Sequence, residues 1–143
     1  MSMRFKRSHW IKFHEKSKFL ILSHSRKHYT FLGQLVADIA NQSTDEFKSK
    51  YAEGYMAALA VKTTAKTHCD VLLHLLGFLK KNLNTEQKSD ILMTIENYRN
   101  SIYPLIVPLV LINHYISVYK VPYVKDQYYL NPHPLDLSLR SHI

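Results

Sequence analysis

An all-α fold follows from three features of this 143-residue sequence. Apolar residues recur at helical spacing, strand-like alternation is hard to find, and only 3 glycines are present. Hydrophobic residues make up 46% of the chain, enough to build a core, and the length fits one domain over residues 1–143. No repeat, low-complexity run or linker divides it. The expected architecture is a single compact domain of five to six helices, followed by an irregular C-terminal arm rich in tyrosine and proline.

Residues 1–17 are a basic lead-in, and a first helix is predicted over 8–22. Trp10, Phe13, Ser17 and Leu20 share one side of it, with Lys12, Glu15 and Lys16 elsewhere. Ser23 or Ser25 suits the N-cap of the next helix, whose stripe is Tyr29, Leu32, Val36 and Ile39. Gly33 lies inside that helix, where glycine costs about 1 kcal/mol against alanine. Close packing or close ligand approach is the expected reason for it. Ser43, Thr44, Asp45 and Glu46 have the form of a capping box. The helix they start carries Phe47, Tyr51, Tyr55, Ala58, Leu59 and Lys62 on one side and pauses near Thr63 and Thr64.

The helix over 65–82 has the most regular pattern, with Val71, Leu72, Leu75, Leu76 and Leu79 as its buried stripe. The other helices are expected to pack around it. Asn84 with Gln87 caps a helix over 85–100 that buries Ile91, Ile95 and Tyr98. Pro104 and Pro108 then interrupt the chain. The last helix is expected to start at Pro108, a favoured first-turn position, and to end near Tyr119. The predicted core is Leu72, Leu75, Leu76, Leu79, Ile95, Leu109 and Leu111. Residues 121–143 hold Pro122, Pro132, Pro134 and several tyrosines, and are expected to strap across the helices, because buried tyrosine is better placed than loose tyrosine.

The net charge is +8, and it is concentrated. Residues 1–30 carry eight Lys or Arg (Arg4, Lys6, Arg7, Lys12, Lys16, Lys18, Arg26 and Lys27) against Glu15 alone. Such an end attracts polyanions over long range, RNA or DNA first and an anionic protein second. The single cysteine, Cys69, excludes an intrachain disulfide and fits a reducing compartment, so a soluble cytoplasmic protein is expected. The apolar run 102–112 is eleven residues long with two prolines, whereas a spanning helix needs about 20 apolar residues. It reads as buried core.

Three clusters bear on chemistry. His24, Ser25, Arg26, Lys27, His28 and Tyr29 sit at a helix start, where unpaired backbone N–H groups and basic side chains suit a phosphate or carboxylate. The helix dipole disfavours cations there, so an anion is expected to neutralise them; Glu46 or Glu53 is the bland alternative. His24 and His28 are four apart, but no His-Glu-x-x-His pattern or cysteine pair accompanies them, and His68 and Cys69 point about 100° apart on a helix. Neither metal nor cofactor is expected. Asp70 and His74 are spaced to form a carboxylate–imidazole pair, with Gly77 leaving a gap and Lys80 and Lys81 beyond. This pair is the candidate acid/base for catalysis, and an exposed salt-bridge stripe is the simpler reading. His114 is expected as a satisfied core histidine, and Arg99 suits the end of its helix. Nucleophile elbow, Walker loop, dinucleotide fingerprint and zinc-deaminase signature are all missing.

The segments KFLILSHSRKHYTFLGQLVA, THCDVLLHLLGFLKKNL, YRNSIYPLIVPLVLINHYI and DQYYLNPHPLDLSLR together resemble the YbgA-like family, a bacterial domain of unknown function. The likeness covers most of the chain from Lys18 onward. Members occur alone or fused to a thiouracil desulfidase-type domain with an iron–sulfur cluster. This chain is expected as the stand-alone form; it lacks that domain's cysteines and so cannot hold the cluster. The resemblance implies a helical accessory domain linked to thiolated nucleobases or RNA. The matched positions include His24, Ser25, Lys27, Tyr29, His74, Lys80, Lys81, Arg99, Gln127, Tyr129 and Arg140, none with an established catalytic role. The leading expectation is a binding domain for RNA or a nucleotide-like anion, using His24 to Tyr29 with Lys80, Lys81, Arg99 and Arg140. The alternatives are an enzyme on a modified nucleobase, using His74 and Asp70, and a docking partner of a desulfidase-type protein. Oligomeric state has no signature here.

Overall fold

The structure, a computed structural model, describes residues 7–131. Among them the order is α1 (Arg7–His24), α2 (Arg26–Ala37), a 3-10 turn at Ile39–Asn41, α3 (Thr44–Ala60), α4 (Ala65–Leu79), α5 (Thr85–Arg99), α6 (Ile106–Val118) and the short α7 (Pro122–Lys125). Each boundary has a local cause. Ser25, Ser43, Thr64 and Asn84 are extended N-caps whose side chains accept the backbone N–H three residues on. Thr64 with Thr67 and Asn84 with Gln87 form reciprocal boxes. At Ser43 only the forward bond is made, from Glu46 N–H at 3.2 Å. The basic lead-in is already helical from Arg7, and α6 begins at Ile106, two residues ahead of the expected proline.

The ends of α5 and α6 close by bonds from residue i to the carbonyl at i−5: Ile102 N–H to Asn97 O at 2.8 Å, and Val121 N–H to Ile116 O at 3.1 Å. Such closures place one residue in the left-handed region, usually glycine. Here Ser101 (φ 62°) and Lys120 (φ 50°) take it, while all three glycines sit inside helices.

The helices build two apolar clusters that share α1. The larger joins Phe19 and Leu22 of α1 to α4, α5, α6 and the arm. The smaller joins Ile21 of α1 to Leu32, Leu35 and Val36 of α2 and Phe47, Tyr51 and Ala58 of α3. The sequence places α4 at the centre of everything. It is central to the larger cluster only, and α1 is the helix whose buried residues enter both clusters, with half-buried Tyr29 of α2 packing against each. All seven expected core residues are buried or, for Leu111, half-buried.

The arm docks on α1 by a hydrogen-bonded clasp. Gln127, 3% exposed, donates through Nε2 to the Glu15 carbonyl, and its Oε1 accepts from Phe19 N–H at 3.3 Å. Those two backbone groups are four residues apart, the natural partners of one helical rung. Tyr128 N–H adds a bond to the Lys16 carbonyl at 2.9 Å. Tyr129 inserts fully and its hydroxyl meets His68 Nδ1 at 2.7 Å. The expected strap over the helices is therefore present as far as Asn131; its remainder lies outside the described residues.

The run 102–112 differs from its expectation of buried core. Ile102 is 64% exposed, and α6 buries Pro108, Leu109, Ile112 and Ile116 while Val107, Val110, His114 and Val118 face out. Among the described residues no helix is long and apolar enough to cross a membrane.

Candidate anion-binding site

The start of α2 is built by Ser25. It holds the extended conformation that separates α1 from α2, and its Oγ accepts His28 N–H at 3.2 Å. The His28 ring folds back so that Nδ1 lies 2.8 Å from the same Oγ, which can donate its own proton there. Ser23, the other candidate cap, is instead buried in the last turn of α1 and donates to the Leu20 carbonyl at 2.6 Å. His24 Nδ1 donates to the Val61 carbonyl at 2.7 Å. His24 and His28 thus have separate partners and do not converge on a shared ligand. Among the described residues no three His, Cys, Asp or Glu side chains gather as a metal site would require.

The His24–Val61 bond also fixes what surrounds the α2 start. It ties the α1–α2 corner to the link between α3 and α4. The same end of the bundle therefore holds the ends of α1 and α3 and the starts of α2 and α4. Arg99, at the end of α5, is exposed and pairs with Glu96 at 3.4 Å; Cys69, in the second turn of α4, and then Glu96 hold its guanidinium above its ordinary pKa. Arg26, Lys27, Lys62, Lys66 and Arg99 all project into solvent there. The sequence places Lys62 on the α3 stripe and marks neither Lys62 nor Lys66 as an anion contact; Lys62 lies past the end of α3 at Ala60, and the His24–Val61 closure brings both lysines to this end. Lys80 and Lys81 follow the far end of α4, about 22 Å away at 1.5 Å per residue, so they do not join this cluster. Tyr29 is half-buried where the two clusters meet. Arg140 lies outside the described residues.

The charges at the α2 start lack internal neutralisation. No acid stands in the first turn, and the amides of Arg26 and Lys27 find no acceptor among the described residues. Glu46 is taken by Lys50, 2.7 Å away. Glu53 lines the same groove as Lys27 without reaching ion-pair distance of it. This groove, about 500 Å³, runs between α2 and α3. Lys27, His28, Phe31 and Leu35 form one wall and Lys50, Glu53, Gly54 and Ala57 the other. Gly54 lets the helices approach: a Cβ there would stand 2.9 Å from Leu32 Cδ2 and 3.1 Å from Phe31 Cε2. Phe31 is left 46% exposed beside it.

Other expected sites fare differently. No hydrogen bond or ion pair links Asp70 to His74 among the described residues; the exposed His74 ring lies against Phe19 at 5.6 Å and Phe78 at 6.2 Å. Aromatic contact wins over the carboxylate because the Phe19 and Phe78 rings flank it. His114 is a correction: it is exposed on α6 beside Tyr115, because the apolar residues around it include the outward-facing valines. Among the described residues the buried histidines are His14 and His68, each meeting a tyrosine hydroxyl far away in sequence, Tyr51 at 3.0 Å and Tyr129 at 2.7 Å. Gly33 is also a correction where packing is concerned, since a Cβ there would meet nothing within 4 Å; the same is true at Gly77.

Comparison with known proteins gives a consistent but functionally silent picture. The family model described as "Protein of unknown function (DUF1722)" matches residues 18–134. The chain is 29% identical over 129 residues to "Uncharacterized protein YbgA" of Escherichia coli (strain K12), covering 90% of this chain and 76% of that one. No solved structure matches.

Proposed function

We propose, for a chain that belongs to the DUF1722 family of YbgA-like proteins of unknown function, a role as an anion-binding helical module whose ligand is RNA or a nucleotide-like anion. The observation that carries this reading is the first turn of α2: consecutive basic residues, two amides with no acceptor among the described residues, and no acid within ion-pair reach. A phosphate satisfies all three at once. Lys62, Lys66 and Arg99 extend the positive surface for a longer polyanion. The link to thiolated nucleobases rests on the family resemblance, and it makes thiolated tRNA the first ligand to compare with its unmodified counterpart.

The test is RNA binding as a function of salt. Affinity should fall steeply with ionic strength. Lys27→Glu should weaken binding and reduce the magnitude of the log–log salt slope by about 1 for each phosphate that is no longer neutralised. Equal binding by wild type and Lys27→Glu overturns the reading. The enzyme alternative loses its geometric support with the Asp70–His74 pair unformed. The docking alternative keeps one observation in its favour, the outward-facing Val107, Val110 and Val118 on α6. It is tested by whether Val110→Asp abolishes co-purification with a desulfidase-type protein while RNA binding stays intact.

A further inference from the structure

A second groove, about 670 Å³, lies between α1 and α2 and is separate from the groove beside Lys27. Its lining includes a histidine that is 4% exposed, His14. One ring nitrogen, Nδ1, lies 3.0 Å from the hydroxyl of Tyr51, itself 1% exposed. That hydroxyl has no other partner among the described residues. A buried O–H is costly to leave undonated, so the tyrosine gives its proton to Nδ1. The imidazole proton then sits on Nε2. Nε2 makes no hydrogen bond among the described residues, and His14 is one of the residues that line the groove. The groove thus contains one N–H donor whose orientation is locked from behind.

The surroundings define what such a donor takes. Gly33 opens the space, since a Cβ there would meet nothing within 4 Å, and Ile11, Val36 and Ile39 supply apolar wall. Lys18 stands at the groove, bonded to Tyr123 Oη at 3.1 Å and 3.6 Å from Glu15. Of the charged residues lining the groove, Lys18 and Glu15 offset each other, and the other charges of α1, Arg7, Lys12 and Lys16, are all basic, so the longer-range field of the helix favours an anion. We infer that the α1–α2 groove is a ligand site for a small organic carboxylate, its oxygen accepting from His14 Nε2–H and its apolar body lying over Gly33. Burial, the largest influence on His14, lowers its pKa and keeps the ring neutral, which preserves the single-donor form.

The test uses benzoate as probe and long-range ¹H–¹⁵N spectra of the histidine rings. In the free protein His14 should show its proton on Nε2. Benzoate should shift that nitrogen saturably at millimolar concentration, and benzyl alcohol, which has the ring without the charge, should bind about tenfold more weakly, the scale of one charge-assisted hydrogen bond. Gly33→Leu, which fills the groove without a backbone clash, should abolish the shift. A proton on Nδ1, no saturable benzoate shift, equal binding of benzyl alcohol, or retained binding in Gly33→Leu each overturns the inference. The tautomer measurement needs the wild-type protein alone.

Discussion

Replacing Gln127 should loosen the whole chain, because one side chain joins the arm to the helix both clusters share. Its carboxamide contributes two hydrogen bonds, to Glu15 O and from Phe19 N–H. Each is worth about 0.5–1.5 kcal/mol net in a folded protein. In Gln127→Ala the two backbone groups are four residues apart on α1 and can pair with each other, so no buried orphan remains. The loss is then the arm's attachment and the buried methylene stem, about 2 kcal/mol in total. For a domain of this size that lowers Tm by on the order of 5–10 °C. Gln127→Glu sharpens the test. A carboxylate cannot donate to the Glu15 carbonyl and faces it with like partial charge, so at pH 7 this variant should be less stable than Gln127→Ala. Protonation restores the donor. The folded pKa of the new carboxyl is raised above its unfolded value of about 4.3, so the deficit is smallest below that value and grows as pH climbs through the folded pKa. Urea denaturation at pH 4.5 and pH 7 reads both effects. Gln127→Ala within about 0.5 kcal/mol of wild type, or Gln127→Glu no worse than Gln127→Ala at pH 7, would refute the clasp.

The three glycines should separate cleanly: Gly33→Ala and Gly77→Ala, with open space around the new Cβ, should each stabilise by about 0.5–1 kcal/mol in chemical denaturation. Gly54→Ala should give no gain or a net loss, because its 2.9 Å approach to the fully buried Leu32 costs about 1–3 kcal/mol against the same propensity gain. Tyr98 has a hydroxyl sealed without partner among the described residues, and burial, then Cys69, pushes its pKa up to about 12. Tyr98→Phe should therefore leave stability unchanged or raise it by about 1 kcal/mol, and a loss above that size would reveal a partner for the hydroxyl. His14 carries a lowered folded pKa, so the unfolded chain binds its proton first and stability should fall as pH drops below 6.5, by up to about 1.4 kcal/mol per pH unit. Comparing wild type with His14→Gln between pH 7 and pH 5 isolates that limb, and identical slopes would contradict it.

The sequence exposed what is local and concealed what is paired at a distance. Ser43 and Asn84 announce helix starts, and Ser23 or Ser25 narrows the third to one corner, because a cap needs only its own next three residues; Thr64 reads only as a pause until its box with Thr67 is seen. The stripes of α2 and α4 are legible for the same reason, and so is the basic start of α2. The opposite wall of the α2–α3 groove is not, since which turn of α3 faces Lys27 depends on packing. Gly54 falls on the buried side with Tyr51 and Ala58, a small residue on a core stripe, and that signal was there to be read. His14 and His68 look like any helical histidine until Tyr51 and Tyr129 arrive from 37 and 61 residues away. His114 misleads for the reverse reason: α6 is apolar on its outward side too, so surrounding composition mimics a core.

Helix α1 shows why the arm matters beyond its own area. Residues 14–22 face different partners in quick succession, because successive side chains on a helix are about 100° apart. His14 points to Tyr51 in the smaller cluster, Glu15 lends its carbonyl to Gln127 and its carboxylate to Lys18, Phe19 and Leu22 enter the larger cluster, and Ile21 returns to the smaller. Lys18 carries the same connection outward. Burial alone pulls its pKa down, but the Tyr123 hydroxyl and Glu15 more than offset that, so the ammonium is held charged between arm and groove. A change in how the arm seats is thus transmitted to the wall of the α1–α2 groove through the residues that form both, with no intervening element needed. The start of α2 is coupled less directly, through Ser25 N–H, which still bonds the Ile21 carbonyl at 2.9 Å and so inherits the orientation of α1's last turn.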